Sequence, residues 1–426
     1  MSPDILARLR AADPATSMPS STEDDRQRLR RAIVSTPVEP RRRPLGKRSR
    51  PSLALLASIV GAVLLLTGGA VYAKTVLLAP SPSFRHTAPG WSQVPLDAAW
   101  KAALAKGVVA LSRRVSLTPL ALGDDKRTFF AALYSKGYSG VVRIDAATSR
   151  VTRIRRFPDA RTDQAADGTF DGRWLVWSEL RGFDDPSISA VWSWDSRTGR
   201  LQKVGAAHQA PSSDRWSGSA AVVRDGLVTW TRSAGPSGLS DVHVFDLASG
   251  RDRVVHRGYV DDSFLVNGGL VVWSEAAKRG GSTVMRAADA RSGEPVAVPP
   301  SLAGLRNVAA PATDGAAIAY SDPHWSSLWW SPSLTVAPAR LFAARAGNPV
   351  DNSIEVAGRY ISFAVAPRAY LADTISRHYV EISPGGWALL GKKSLVIEMP
   401  SDVKALHGIS DVIFLPLSSL PAMPDW

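Results

Sequence analysis

The chain has 426 residues, with 51 Lys and Arg against 38 Asp and Glu, 14 Trp and no Cys. A sequence that is 45% hydrophobic and 21% charged is neither wholly disordered nor a polytopic membrane protein, because each class needs a very different balance. The missing cysteine excludes disulfides, thiol nucleophiles and thiolate metal sites.

The first 50 residues hold twelve Lys and Arg against six Asp and Glu, a net charge of +6 out of the total of +13. Two amphipathic segments, residues 5–10 and 26–34, are each too short to form a stable helix alone in water. We therefore expect a largely disordered basic tail over residues 1–50, with one or two short helices. Its arginine run at residues 41–50 directly precedes an apolar segment instead of lying on a folded face, so the charge does not predict nucleic-acid binding.

Residues 53–73 form a run of 21 uncharged residues, and about 20 apolar residues are needed to cross a bilayer as a helix. Since the basic cluster precedes this run, the positive-inside rule puts the tail in the cytoplasm and everything after Lys74 outside. We expect a signal anchor within residues 51–79, with the lipid bilayer as the partner of residues 53–73. The alternative is cleavage after Ala73, but the long basic flank and the long apolar run are unlike a secretory signal.

The tail carries two loose motifs, LARLRAADP at residues 6–14 and RLRRAI at residues 28–33. Together with the arginine run and the single span, they resemble the N-termini of actinobacterial single-pass proteins associated with extracytoplasmic-function sigma factors. The resemblance implies a bacterial plasma membrane and a cytoplasmic regulatory partner for the tail, in an anti-sigma-like role. The His-x-x-x-Cys-x-x-Cys zinc signature of many such proteins is absent from this sequence.

Residues 80–106 are expected to link the span to the folded part of the chain. Trp100 and Leu104 stand at helical spacing after Asp97, which predicts a short helix that ends at Lys106.

One unit recurs through the rest of the chain: an Asp-Gly or small-residue turn, a strand that ends in an aromatic, a second strand that ends in Asp, and a tight turn. Its clearest copies are DGRWLVWSE at residues 171–179 and NGGLVVWSE at residues 267–275. The strand-ending aromatics recur about every 47 residues, at Tyr134, Trp177, Trp230, Trp273, Tyr320, Phe363 and Phe414. The later strands end at Asp145, Asp195, Asp246 and Asp289.

A repeat of 40 to 50 residues with three or four strands predicts an all-β fold, a β-propeller over residues 107–426. Seven units of about 47 residues fit the 353 residues that follow residue 73, so seven blades are favoured and six are the alternative. Strands at residues 412–415 and 108–111 are expected to pair and close the ring. Most tryptophans fall in strands and are expected to pack between blades, whereas Trp216 and Trp325 stand in loops and are the candidates for ligand contact.

The Asp-Gly-aromatic strand and the Asp-x-x-Ser/Thr-Gly turn resemble the TolB-like or WD40-like propeller family over residues 120–390 or so. Residues 321–350 and 376–400 keep the pattern poorly. The resemblance implies an extracytoplasmic platform that binds a protein or a cell-envelope ligand.

Catalytic and metal-binding motifs are missing from the sequence. There is no Gly-x-Ser-x-Gly elbow, and the seven histidines form no His-Glu-x-x-His pair. The acids of residues 163–171 fit no calcium loop and are interpreted as a solvated connection. No catalytic, cofactor-binding or metal-binding residue is predicted, so a binding or sensing platform is the main hypothesis, and a hydrolase or lyase with its site at the mouth of the ring is the alternative.

Overall fold

The computed structural model describes residues 84, 86–109, 115–159, 163–181, 187–205, 221–234, 238–267, 269–322, 324–344, 350, 354–365, 368–383, 388–398, 412–421 and 423. The predicted tail, the predicted span and Trp216 lie outside these residues. Within them, no helix is long and apolar enough to cross a membrane. Nearly all their regular structure is β-strand, as the sequence predicts.

The described strands form seven consecutive antiparallel sets, which we name sheets 1 to 7. The segment before them contains β1 (His86–Thr87), β2 (Ser92–Val94) and helix α1 (Ala98–Lys106). Sheet 1 consists of β3 (Ser116–Leu122), β4 (Thr128–Tyr134), β5 (Ser139–Asp145) and β6 (Arg150–Arg156). Sheet 2 consists of β7 (Asp163–Phe170), β8 (Trp174–Arg181), β9 (Ser187–Asp195) and β10 (Leu201–Gly205).

Sheets 3 and 4 share one long strand. Sheet 3 contains β11 (Val222–Arg224), β12 (Leu227–Ser233), β13 (Ser240–Asp246) and the first half of β14 (Arg251–Val266). Strand β14 pairs with β13 as far as Gly258, and from Tyr259 onward it pairs with β15 (Leu270–Ala276), which is followed by β16 (Thr283–Asp289). The second half of β14 therefore begins sheet 4 without an intervening loop.

The last three sheets follow in chain order. Sheet 5 consists of β17 (Ala309–Thr313), β18 (Ile318–Ser321), β19 (Ser327–Ser331) and β20 (Ala339–Ala343). Sheet 6 consists of β21 (Glu355–Ala357), β22 (Tyr360–Val365), β23 (Arg368–Asp373) and β24 (His378–Ser383). Sheet 7 consists of β25 (Ala388–Leu390), β26 (Ser394–Glu398) and β27 (Val412–Pro416), and a 3-10 turn follows at Leu417–Ser419.

The hydrophobic core lies between the sheets. Among the described residues, seven clusters of buried side chains each join two consecutive sheets, and one of them joins sheet 7 to sheet 1 through Val396, Phe414 and Phe129. The first strands of neighbouring sheets also contact one another, including β25 with β3, so they lie nearest the axis. This closed arrangement is consistent with a β-propeller, in which each sheet buries both faces against its neighbours.

The recurring aromatics hold the same place in six sheets, on the second strand, while Phe414 does not. Phe414 lies in β27, the third strand of sheet 7, so it does not hold the position that the other six aromatics share. The second strand of sheet 7, β26, carries the aliphatic residues Val396 and Ile397 in place of an aromatic, and both are fully buried. Phe414 instead stacks on Phe129 of sheet 1, with ring centroids 5.9 Å apart, and so supplies the aromatic contact where the ring closes.

The Asp-Gly turns tie consecutive sheets together. Asp171 Oδ1 accepts hydrogen bonds from the backbone N–H groups of Arg173 and Trp174 within its own turn, at 3.0 and 2.8 Å. Its Oδ2 accepts from the N–H of Gly226 in the next sheet, at 2.8 Å. Asp314 makes the same contact to Gly358 N, also at 2.8 Å. In these two copies the Asp both caps its own turn and holds the next blade.

The Asp that ends each third strand has a structural role of the same kind. Asp195 accepts from the N–H of Arg197 at 2.9 Å and from the guanidinium of Arg173 at 2.8 Å. The hydrogen bond from Arg173 lowers the pKa of Asp195, which is 2% exposed. Equivalent Arg–Asp pairs join residues 127 and 145 in sheet 1 and residues 359 and 373 in sheet 6. These motifs therefore specify blade geometry rather than a ligand site.

Residues 86–109, which we name the strap, cover the outer edges of the last three sheets. Strand β1 pairs with β20 of sheet 5, and β2 pairs in parallel with β24 of sheet 6. Helix α1 is capped by Asp97, whose side chain accepts from Trp100 N at 3.0 Å, and it buries Trp100 against sheets 6 and 7.

The strap ends on β27 of sheet 7. Val109 N donates to Val412 O at 3.0 Å and Phe414 N donates to Gly107 O at 2.8 Å, so the predicted closure is present at residues 108–109. Residues 110–111 lie outside the described residues.

The ring closure depends on a residue without a side chain at position 107. A Cβ built on Gly107 would lie 2.7 Å from Phe414 O and 2.8 Å from a side-chain atom of Ile413. We expect Gly107→Ala to lower the free energy of unfolding by about 1 to 3 kcal/mol, the usual cost of overpacking. The measurement is urea denaturation followed by tryptophan fluorescence.

Gly137→Ala is the matched control, because a Cβ there meets no atom within 4 Å. Its effect should stay within about 0.5 kcal/mol. Equal losses in the two variants would show that the contact of Gly107 with β27 does not hold the ring closed.

Candidate functional site

Two acidic side chains lie on innermost strands of the ring. Asp167 belongs to β7, the first strand of sheet 2, and Glu355 begins β21, the first strand of sheet 6. Asp167 is exposed and Glu355 is half-buried, so water reaches both side chains near the axis. Burial raises the pKa of Glu355, and the negative charge of Asp167 raises it further. We name Asp167 and Glu355 the axial acid pair.

A bulge in β7 presents Asp167. The pairing of β7 with β8 shifts register between Ala166 and Thr169, which leaves Asp167 out of the ladder with a φ of +52°. This left-handed conformation costs a non-glycine residue of order 1 to 3 kcal/mol, and such strain concentrates at functional sites. A positive φ also occurs at seven other described non-glycine residues, so the bulge sets the position of Asp167 but does not by itself mark a site.

Both neighbouring sheets hold this bulge in place. A Cβ built on Gly168 would lie 2.7 Å from Leu120 Cβ and 2.9 Å from its carbonyl oxygen, so only glycine allows this approach to sheet 1. On the other side, Thr169 Oγ1 accepts from Val223 N at 2.8 Å, in sheet 3. The position of Asp167 is therefore fixed by the stacking of three sheets.

The carboxyl group of Glu355 has a pKa near neutral pH. Burial raises the pKa of this carboxyl from 4.5 to about 7, and the charge of Asp167 adds to the effect. Although Asp167 itself reaches solvent, the surrounding protein partly desolvates it and raises its pKa as well. Two carboxyl groups in one such space do not ionise independently. A carboxyl that titrates near pH 7 can exchange protons with a bound ligand or act as a general acid or base.

Two histidines fill strand positions. His243 in β13 stacks on Trp230 with centroids 4.9 Å apart, and its Nδ1 lies 3.1 Å from Asp252. His256 in β14 stacks on Trp273, and its Nε2 lies 2.8 Å from Glu275. In the described part of the chain, no group of three or more His, Cys, Asp or Glu side chains is placed to hold a metal ion.

The two tryptophans proposed for ligand contact are not part of the axial acid pair. Trp216 lies outside the described residues. Trp325 lies in the loop between β18 and β19, where it is half-buried and has a φ of +53°. Its backbone N–H donates to Asp322 O at 2.9 Å, and its backbone carbonyl accepts from Val350 N at 2.5 Å. A ligand contact at Trp325 stays a prediction.

The interpretation of residues 163–171 as a solvated connection is wrong. Asp163–Phe170 is a strand, although its sequence DQAADGTF is polar and rich in small residues. The strand needs little hydrophobic surface because one side faces the axis and the other packs Ala165 against sheet 1. Neither Asp167 nor Glu355 was selected from the sequence. Asp167 stands ten residues before Trp177 and Glu355 eight before Phe363, so the repeat register gives no common signal for the two acids.

No protein-family model matches the sequence, and no curated protein matches it. Among solved structures, the chain is similar to an oligogalacturonate lyase in complex with manganese, at 14% identity, with 70% of this chain and 77% of that chain covered and a TM-score of 0.41. It is also similar to a prolyl endopeptidase, at 14% identity and a TM-score of 0.46, with 88% of this chain and 54% of that chain covered. A third match is an acylaminoacyl peptidase, at 10% identity, 66% and 50% coverage, and a TM-score of 0.45.

The chain thus spans about half the length of each of the two peptidases. Similarity at this level says nothing about activity. The TolB-like resemblance of the repeats and the sigma-factor-associated resemblance of the tail stay predictions.

The titration of Glu355 predicts a pH dependence of stability. Its folded pKa of about 7 lies above its ordinary value of 4.5, so the stabilisation that it contributes is complete below pH 4.5 and is lost as the pH rises through 7. Glu355→Gln should remove this loss, and its melting temperature relative to the wild type should therefore be higher at pH 8 than at pH 4. Differential scanning fluorimetry across this range measures the effect.

Glu294→Gln serves as the control, because Glu294 is exposed in the turn after β16. Its difference from the wild type should stay constant with pH. If the melting temperature of Glu355→Gln also differed from that of the wild type by a constant amount across this pH range, the carboxyl of Glu355 would titrate at an ordinary pH.

The coupling within the pair predicts a second effect. Asp167→Asn removes the negative charge that raises the pKa of Glu355, so the pH at which stability is lost should move downward. In the Glu355→Gln background the same substitution should leave the shape of the pH profile unchanged. A downward shift that persists in the double variant would mean that Asp167 acts on a different group.

Proposed function

We propose that the chain is a single-pass protein of a bacterial plasma membrane whose extracytoplasmic propeller binds a ligand at the axial acid pair. In this proposal residues 1–50 are the cytoplasmic tail, 51–79 the signal anchor, 80–106 the linker and 107–426 a seven-bladed propeller of the TolB-like or WD40-like kind. The seven antiparallel sets and the closure of sheet 7 on sheet 1 support the blade number. The uncharged run and its basic N-terminal flank support the orientation.

The observation that carries the binding function is the pair of interacting carboxyl groups at the axis. Asp167 is presented by a strained bulge that three sheets hold, and Glu355 exchanges a proton near pH 7. Such a pair complements a ligand that offers a cation or several hydrogen-bond donors, such as an amine, a guanidinium or sugar hydroxyls. A basic protein segment and an amine-bearing envelope glycopeptide both have this chemistry.

Occupancy of the propeller would be relayed to a cytoplasmic regulatory protein through the tail. The resemblance of the tail to sigma-factor-associated proteins supports this part of the proposal. The folded part is tied to the approaching chain by the strap, which pairs with the edges of sheets 5 and 6 and closes sheet 7.

The test uses the full chain in lipid nanodiscs and soluble cell-wall glycopeptides as the probe, in isothermal titration calorimetry. We expect wild-type binding to strengthen from pH 5 to pH 8, because a cationic group binds the ionised Glu355 better and releases its proton. The Asp167→Asn/Glu355→Gln variant should bind at least tenfold more weakly. A matched variant, Asp252→Asn/Glu294→Gln, changes the same charges away from the axis and should bind as the wild type does. Equal affinity in all three proteins would overturn the proposal.

An extracytoplasmic hydrolase or lyase is the second candidate, and one observation favours it. A carboxyl with a pKa of about 7 beside a second carboxylate is the arrangement that lets one group donate a proton while the other stabilises or attacks the reacting centre. Chromatography of the same glycopeptides after incubation with the nanodisc protein separates the two functions. New products that disappear in Glu355→Gln support the enzyme, whereas binding with intact glycopeptides supports the platform.

A further inference from the structure

The outer edge of sheet 1 differs from the edges that the strap covers. Strand β6 is the last in the order β3-β4-β5-β6, and no described strand pairs with its outer side. In contrast, β20 and β24 are paired by β1 and β2 of the strap. A free edge offers a row of backbone N–H and C=O groups to another strand. Among the described residues, the outer edge of β6 is therefore unpaired along its seven residues.

This edge is strongly basic. Four exposed arginines on β5 and β6 have no acidic partner among the described residues, namely Arg143, Arg150, Arg153 and Arg156. The nearby acids are already paired: Asp145 binds Arg127, and Glu179 binds Arg155 at 2.5 Å. We name the four unpaired arginines and strand β6 the basic edge.

The register of β6 distributes these charges over both sides of the sheet. Arg153 lies opposite Val142 and Arg156 lies opposite Gly140, both on the side of the sheet that faces sheet 7. The two arginines share this side because the pairing shifts register between Val141 and Val142. Arg150 and Arg143 lie on the other side, opposite Asp145 and Thr152. A strand that added to β6 would thus meet positive charge on both of its alternating faces.

A cavity of about 360 Å³ lies at the end of the basic edge, lined in part by Lys136, Tyr138 and Arg156. The hydroxyl of Tyr138 donates to Arg155 O at 2.8 Å, which fixes the ring, and the guanidinium of Arg153 lies 4.8 Å from its centroid. The cavity extends the positive charge beyond the strand and can take an acidic side chain.

We propose that the basic edge binds an extended acidic segment of a partner protein, which adds to sheet 1 as a fifth strand. Backbone pairing with β6 supplies the register, and the alternating acids of the segment neutralise the arginines on both sides. Pairing of β6 with the β6 of a second copy would be unfavourable, because arginines would face arginines. A flat lipid surface would not use the backbone groups of the edge. The surface is distinct from the axial acid pair, so the partner need not compete with the axial ligand.

The experiment measures binding of a fluorescent peptide of alternating Glu and Val to the full chain in neutral nanodiscs, by anisotropy at 150 mM salt. Two analogues separate the contributions: one has Gln for every Glu, and one is N-methylated at every second backbone amide. We expect each analogue to bind at least tenfold more weakly than the parent peptide, because the first lacks the charges and the second cannot pair with β6. Arg153→Glu/Arg156→Glu should weaken the parent peptide by at least tenfold.

Arg197→Glu/Arg200→Glu is the control, because it changes the charge equally in an exposed turn of sheet 2. It should bind the parent peptide within twofold of the wild type, and circular dichroism checks that both variants fold. The proposal is overturned if the parent peptide does not bind, if the N-methylated peptide binds equally well, or if both charge-reversal variants lose binding alike. Binding of phosphatidylglycerol vesicles that needs the basic edge, without peptide binding, would instead identify a lipid surface.

Discussion

The fold depends on the packing of each sheet against the next, and above all on the contact that returns sheet 7 to sheet 1. A small four-stranded sheet cannot bury both of its faces alone. Here every interface has its own hydrophobic cluster, and the closing one stacks Phe414 on Phe129. Since burial of an aromatic side chain contributes about 2 to 3 kcal/mol, each interface needs its neighbours to complete it. The strap adds backbone pairing at the closing sheet, where Gly107 approaches β27 too closely for any side chain.

Closure of the ring has a consequence at the axis. The first strands are brought together there, and two of them carry carboxyl groups that would lie far apart in an open sheet. Asp167 and Glu355 are almost 190 residues apart in the chain, and only the ring makes them interact. The strain at Asp167 is supported by sheets 1 and 3, so the same packing that stabilises the fold also prepares the pair. The outer rim is organised differently, with the strap over sheets 5 to 7 and a basic free edge on sheet 1.

The sequence predicts the repeat well and the site poorly. The second-strand aromatics of six sheets and the Asp turns are visible because they serve blade geometry: Asp171 caps its turn and holds Gly226, and Asp195 binds Arg173. Phe414 departs from this pattern because sheet 7 has aliphatic residues where the other sheets have an aromatic. The sequence does not predict strand β7, because DQAADGTF lacks the hydrophobic alternation that identifies strands. Glu355 has no local signal at all, since its pKa depends on burial by distant segments.

The central claim is that burial, with a further contribution from the charge of Asp167, raises the pKa of Glu355 to about 7. The most direct measurement is a pH titration of the side-chain carboxyl groups by carbon-13 NMR, with glutamate labelled selectively in the wild type and in Glu355→Gln. One carboxyl signal should titrate near pH 7 in the wild type and be missing from the variant. If every glutamate of the wild type titrated below about pH 5, as unperturbed side chains do, the pKa of Glu355 would not be raised and the account of the site would be wrong.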